Sequence, residues 1–414
     1  KFSCSVCTLR ATDNACRCPD FVADVLLGIA RERGIRRPRY AFEKGSSQGD
    51  GFIGVVTRVV IVDEDSGAEI RLICKHLKRN PNDTDTFTNM DMFEREIFMY
   101  RHVLPEIVRF QREKGVRDDE GFFAFPTCHY AGYCEETEEA ALIFDDLKYE
   151  GFDMLEKRKV PSVAHVKMLF TQLGRLHAVS LALRREKPQI LAQFQHLDDF
   201  LTKFMRKSDM ESLQGKNCRL LQTVLMPEEE DARKFFQRWE TAMWADVAER
   251  IEGKNAEPYA VINHGDCWIN NLMFCHANGA NNPSKITLID WQMSRYASPV
   301  LDVVYFIFTC TDKSFRDQHF SACLDTYYNA LAELLEKLGG DASEQFPRAV
   351  FEEHLKKFGK IGMAMCTFTT PLDTCYVEQY NAEPEHTYRA NNREAYEARM
   401  RGNVTDFIDF GCMN

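Results

Sequence analysis

Four side chains in the segment Tyr259–Asp302 make a set that could do chemistry: His264 and Asp266 in His264-Gly265-Asp266, then Asn271, then Asp290. Ala260–Ile262 reads as a short strand with His264 just past its end. Asn271–Phe274 and Ile286–Ile289 read as two strands around a turn-rich loop, His276–Pro283, which carries Asn278-Gly279 and Asn281-Asn282-Pro283. Facing residues of an antiparallel hairpin share one midpoint. Asn271 and Asp290 share one inside that turn, so they are expected side by side at the open end, beside the loop holding Asp266. Each is an ordinary turn former by itself. Together they bring two carboxylates and an amide oxygen to one place. Oxygen donors of this kind suit Mg2+ held jointly with substrate phosphates, and a further carboxylate can take a proton from a hydroxyl. His-x-Asp-x-x-x-x-Asn, followed by an apolar pair and Asp, is the arrangement of a phosphotransferase catalytic loop and metal loop.

These residues need a scaffold. The chain has 414 residues, 44% apolar and 28% charged, with 30 Phe to build cores. Its net charge of −11, with no Lys/Arg block, makes it a poor candidate for sequence-independent nucleic-acid binding. No apolar run is long enough to span a membrane. The 15 cysteines are scattered, many inside apolar runs, which fits a reduced, cytoplasmic protein better than a disulfide framework. Residues 20–33 read as a helix with Asp20 as N-cap. Ile53–Val62 and Glu69–Leu77 read as a hairpin around the turn Asp63–Gly67, and Asn89–Val103 as a helix closed by Pro105. Phe123–Tyr130 and Ala140–Phe144 are further strands. After Leu147 helical periodicity dominates, at 161–185, 198–207, 228–252, 314–338 and 346–366.

The segments HGDCWINNLMF and IDWQMSRYASPVLDVVYF, with FEREIFMY (93–100), LIFDDL (142–147) and LGRLHAVS (173–180), resemble the ecdysteroid kinase-like (CHK kinase-like) family of the choline kinase/aminoglycoside phosphotransferase superfamily. The resemblance starts near residue 20. It implies an α+β, bilobal protein-kinase-like fold with a small β-rich N-lobe and a larger, mainly helical C-lobe. The expected division is an N-terminal Cys-containing extension over 1–19, an N-lobe over 20–146 and a C-lobe over 147–414. It also implies ATP and Mg2+ as cofactors, Asp266 as catalytic base, Asn271 and Asp290 as magnesium ligands, His264 as a brace for the catalytic loop, and Asp302 as a structural acid.

A kinase site needs a lysine for the nucleotide phosphates, and Lys75 follows the apolar run Leu72-Ile73-Cys74. A charge inside such a strand needs a partner. On the following helix Glu96 borders the face made by Phe93, Ile97, Tyr100 and Leu104, whereas Glu94 falls off it. Glu96 is therefore expected to meet Lys75. The Gly/Ser-rich loop Gly45–Gly51, with Ser46, Gly49 and Gly51, is a candidate phosphate cover whose N–H groups can face oxyanions. LIFDDL resembles the hinge, where the backbone around Asp145 and Leu147 would meet adenine. His177 reads as a helix-packing histidine. The N-terminal cysteines are spaced too closely for a zinc site.

The segment from Asp290 to Asp302 is too short for a protein-substrate platform. The acceptor is expected to be a small molecule with a hydroxyl. The resemblance points to a lipophilic alcohol, with an ecdysteroid as the best guess. Choline, an aminoglycoside-like compound or a xenobiotic conjugate is the alternative, and a non-catalytic, pseudokinase-like ligand binder is a third reading. No nucleic acid, membrane span or protein partner is implied.

Overall fold

The computed structural model describes residues 18–45, 54–78, 84–156, 159–194, 208–277, 279–374 and 393–413. The chain divides into two compact units. One takes the chain up to His102 together with Phe125–Asp153, and the other takes Val103–Ala124 and everything from Met154. The architecture is α+β: a five-stranded sheet in the first unit and a mainly helical second unit.

In the first unit, strands β1 (Pro38–Lys44), β2 (Val55–Asp63), β3 (Glu69–Lys78), β4 (Cys128–Cys134) and β5 (Glu139–Asp145) form an antiparallel sheet in the order β1-β2-β3-β5-β4. The expected hairpin is β2–β3. Its turn is pinned by Asp63, whose carboxylate accepts the N–H groups of Arg36, Arg37 and Asp65 and the hydroxyl of Ser66. Sheet alternation sends Leu72 and Cys74 of β3 to one face. There they join Val59, Ile61, Ala141 and Ile143 in a core with Leu26 and Ile29 of helix α1 (Ala23–Glu32). Lys75 therefore takes the other face, and helix α2 (Thr84–Phe98) brings Glu96 to it.

Several local expectations shift. Asp20 opens a 3-10 turn to Val22, and α1 starts at Ala23. Cys18, assigned by sequence to the extension, is buried in the α1 core. Strand β1 was not anticipated, because Arg39, Glu43 and Lys44 make it look like a polar loop; as an edge strand it tolerates charge. Pro105 closes no helix. It sits in the first turn of α3 (Leu104–Glu113), where its missing N–H costs no hydrogen bond. The strand expected from Phe123 starts only at Cys128. Phe122 is held instead by Gln111, which donates to its carbonyl and accepts its N–H.

Strand β6 (Asp153–Met154) straddles the boundary, and the second unit continues with helices α4 (Val163–Glu186), α5 (Pro188–Phe194), α6 (Ser208–Gln222) and α7 (Glu230–Ile251), and strands β7 (Val261–Asn263), β8 (Leu272–His276), β9 (Pro283–Leu288) and β10 (Arg295–Ala297). Helices α8 (Val300–Cys310), α9 (Lys313–Lys337), α10 (Ala342–Gln345), α11 (Arg348–Thr374) and α12 (Arg393–Asp409) complete it. The helix expected over 198–207 lies outside the described residues. Every residue of α8 is buried, as its nearly unbroken apolar sequence requires. Among the described residues no helix is long and apolar enough to cross a membrane.

Helices α4 and α9 pack closely at Gly174. A Cβ there would lie 2.4 Å from the Tyr327 carbonyl oxygen and 3.0 Å from the Leu331 nitrogen, both backbone atoms that cannot turn aside. Gly174→Ala is expected to lower unfolding stability by about 1–3 kcal/mol, the usual cost of overpacking. Chemical denaturation checks this, and an unchanged midpoint would mean that the two helices separate freely.

Candidate active site

Strand β7 ends at Asn263, and the chain enters a loop whose shape is set by one buried carboxylate. Asp302, in the first turn of α8, accepts the N–H of His264 at 2.8 Å and of Gly265 at 2.9 Å, one on each oxygen. Gly265 has φ +84°, and a Cβ on it would lie 1.9 Å from the Met293 carbonyl oxygen, so only glycine fits. His264 is buried. Its Nε2 faces the Ile289 carbonyl at 3.0 Å and its Nδ1 accepts the Asp266 N–H at 3.4 Å, so the ring carries its proton on Nε2. The imidazole thus ties the loop to the end of β9. Beneath the loop, Arg295 donates to the Gly265 carbonyl and Ser294 to the His264 carbonyl.

Behind Asp302 stands a second buried layer. His177 of α4 places Nε2 3.4 Å from Asp302 Oδ2, and its Nδ1 lies 2.7 Å from the Tyr327 hydroxyl. Burial pushes the Asp302 carboxyl up. His177, His264 and the loop N–H groups outweigh that and leave it below the ordinary carboxylate range.

The loop presents Asp266 with both oxygens engaged. Tyr305 donates its hydroxyl to Oδ1 at 2.8 Å, and Asn271 donates Nδ2 to Oδ2 at 2.8 Å. Burial raises the Asp266 pKa, and the nearby charge of Asp290 raises it further. Tyr305, His264 and Asn271 pull the other way without cancelling the rise. The amide NH2 of Asn271 also reaches the Asp266 carbonyl, so Oδ1 is the atom Asn271 can offer a cation.

Hairpin β8–β9 forms with a register one residue away from the expected one. Leu272 faces Leu288, and the Ile289 N–H donates to the Asn271 carbonyl, so Asn271 stands opposite Ile289. The ladder is also irregular at Cys275/His276, where Cys275 faces Lys285 but His276 faces Pro283. Asp290 follows in the left-handed region at φ 66°, close enough to Asp266 for its charge to act there. Two carboxylates and an amide oxygen suit Mg2+ better than a softer ion. Among the described residues no three His, Cys, Asp or Glu side chains cluster as a metal site.

In the first unit Lys75 donates to Glu96 Oε2 at 2.6 Å. The side chains are only 12% and 2% exposed, so each charge depends on the other for solvation. Asp145, at the end of β5, holds Arg33 at 2.7 Å and His129 at 2.9 Å, and its N–H donates to the Thr127 carbonyl at 3.4 Å. The Leu147 carbonyl accepts the Glu150 and Phe152 N–H groups of the following turn. Ser46, Gly49 and Gly51 lie outside the described residues.

Sequence reasoning missed the role of Tyr305, naming it only among many aromatic residues that could line an acceptor pocket. Asp302 and Tyr305 are three apart on α8, hence on one helix face, and that spacing was the available signal. His177 is more than a packing residue, since it faces a buried carboxylate that the spacing alone could not reveal.

Asp302→Asn is expected to cost about 3 kcal/mol at neutral pH, because an amide cannot accept both loop N–H groups. The sign follows from the lowered pKa. Stabilisation by ionised Asp302 is complete above the ordinary carboxylate range and fades as pH falls through its depressed folded value. Denaturation midpoints of the two proteins should therefore stay apart from neutral pH through the ordinary carboxylate range and converge only below it. A constant gap through acid would contradict the assignment.

Two solved structures are similar along most of their length. One is choline kinase from Cryptosporidium parvum Iowa II, with 12% identity, a TM-score of 0.47, and 94% of this chain and 97% of that one covered. The other is the GDP complex of wild-type aminoglycoside 2'-phosphotransferase-IIIa, with 12% identity, a TM-score of 0.39, and coverage of 94% and 99%. No curated protein matches the chain. The model of the ecdysteroid kinase-like family matches residues 48–340, which supports a kinase acting on a small molecule. With well over half its length inside that match, the chain belongs to the ecdysteroid kinase-like family.

Proposed function

We propose that this chain transfers the γ-phosphoryl group of ATP to a hydroxyl of a small lipophilic molecule, with Mg2+ as cofactor and an ecdysteroid as the leading acceptor. The observation that carries the reading is Asp266, held at both oxygens by Tyr305 and Asn271 beside a second carboxylate, Asp290. A carboxylate so fixed can orient an acceptor hydroxyl and receive its proton as the oxygen attacks phosphorus. The new O–P bond forms on the alcohol, the bond to the leaving ADP breaks, and the proton rests on Asp266.

Asn271, through Oδ1, and Asp290 would hold Mg2+, which neutralises phosphate charge when bound. Lys75, aligned by Glu96, would engage the nucleotide phosphates. The backbone near Asp145 and Leu147 would receive adenine. The division into an extension over 1–19, a nucleotide lobe over 20–146 and an acceptor lobe over 147–414 belongs to this proposal, as does a cytoplasmic location. The acceptor side would draw on the aromatic and Met residues of the helical unit, a composition suited to apolar ligands.

Asp266→Asn is expected to lower kcat by about 10²–10⁴-fold while leaving fold and ATP affinity intact. The assay offers 20-hydroxyecdysone, choline and an aminocyclitol in competition at equal ATP and Mg2+. Preferred phosphorylation of the sterol supports the proposal. Preference for either cation would replace the acceptor class, and no Mg2+-dependent turnover on any alcohol would favour a ligand-binding role.

A further inference from the structure

Away from Asp266, two imidazoles meet nitrogen to nitrogen. His165, in the first turn of α4, places Nε2 3.0 Å from Nε2 of His276, the last residue of β8. Both rings pack around Phe274, whose ring centroid lies 4.8 Å from that of His165 and 6.4 Å from that of His276. His165 is buried and His276 is partly exposed, so the pair opens to solvent on the His276 side.

The protonation of His165 can be read from its partners. Ser162 stands at the N-cap of α4, yet its hydroxyl makes no cap hydrogen bond. It donates to the Asn281 carbonyl at 2.9 Å, which uses its one hydrogen. The 2.7 Å contact between Ser162 Oγ and His165 Nδ1 must then run from the ring N–H to the hydroxyl oxygen. With that N–H on Nδ1, Nε2 of His165 carries the lone pair of the neutral tautomer. Its Nε2 lone pair is consequently fixed in direction and aimed at His276.

We propose that His165 and His276 form a binding site for a borderline divalent transition ion of the Zn2+ or Ni2+ type, with solvent completing the coordination. The arrangement has the parts such a site needs. Two imidazole nitrogens converge, and an outer hydrogen bond from the non-ligating nitrogen fixes the tautomer of His165. Tetrahedral coordination with bonds of about 2.0–2.1 Å sets two ligand nitrogens about 3.3 Å apart, so the pair needs to open only slightly. Imidazole donors favour these ions over Mg2+, which keeps the site chemically separate from Asn271 and Asp290. An ion here would join the start of α4 to the closed end of the β8–β9 hairpin, whose other end carries Asn271.

The test is Ni2+ titration of the full-length chain in magnesium-free buffer, read by calorimetry and by the thermal midpoint, both independent of kinase activity. The 15 cysteines supply other weak sites, so the comparison is between variants. His276→Gln, at a partly exposed position, is expected to remove one equivalent of binding and the accompanying rise in midpoint. Ser162→Ala keeps both ligands and is expected to weaken that equivalent by about 10–100-fold, the usual effect of losing an outer-shell partner. Equal binding by the wild type and His276→Gln, or no binding by the wild type, would overturn the proposal and leave a simple imidazole–imidazole hydrogen bond.

Discussion

The loop that presents Asp266 hangs on one buried carboxylate. Asp302 is 1% exposed and accepts two consecutive backbone N–H groups, those of His264 and Gly265. Such an anion is costly to bury unless its oxygens are saturated. Here one loop N–H holds each oxygen and His177 stands 3.4 Å from Oδ2, so the loop cannot leave without stripping a buried charge inside α8's apolar surroundings. The energetic coupling runs both ways: α8 gains a partner for its one acid, and the loop gains a fixed shape. Tyr305, one turn further along the same face, extends the hold to the Asp266 side chain. A single helix therefore sets both the backbone of the loop and the aim of the carboxylate it presents.

The Lys75–Glu96 pair follows the same logic in the first unit. An ammonium on the central strand and a carboxylate on a helix are both withdrawn from water and meet at 2.6 Å. Such a pair adds little net stability, and losing one partner is expensive.

The parts legible from sequence were those fixed by local periodicity. Hairpin β2–β3, strand β5 and the long helices follow from apolar spacing, and the choice of Glu96 over Glu94 follows from the helical face. The parts not legible depend on partners distant in the chain. The register of β8 and β9 sets Leu272 against Leu288, one residue from the pairing that would put Asn271 opposite Asp290, and such a slip leaves the pattern of apolar residues in the sequence unchanged. Tyr305 and His177 sit among apolar neighbours, and only the fold shows that each has a carboxylate in front of it. Strand β1 is an edge whose charged residues hide its role. Cys18 looked like part of a separate cysteine cluster and instead packs in the core against α1.

The central claim is that α8 positions Asp266, the proposed base, through Tyr305 as well as the loop through Asp302. Steady-state kinetics of Tyr305→Phe at saturating Mg2+ tests it most directly, because the substitution removes one oxygen and no packing volume. The account predicts a fall in kcat of roughly 10–100-fold, the worth of a hydrogen bond to a charged group, with the KM for ATP and the thermal midpoint little changed. A variant with wild-type kcat would contradict it, and would leave Tyr305 as a core residue that merely lies beside Asp266.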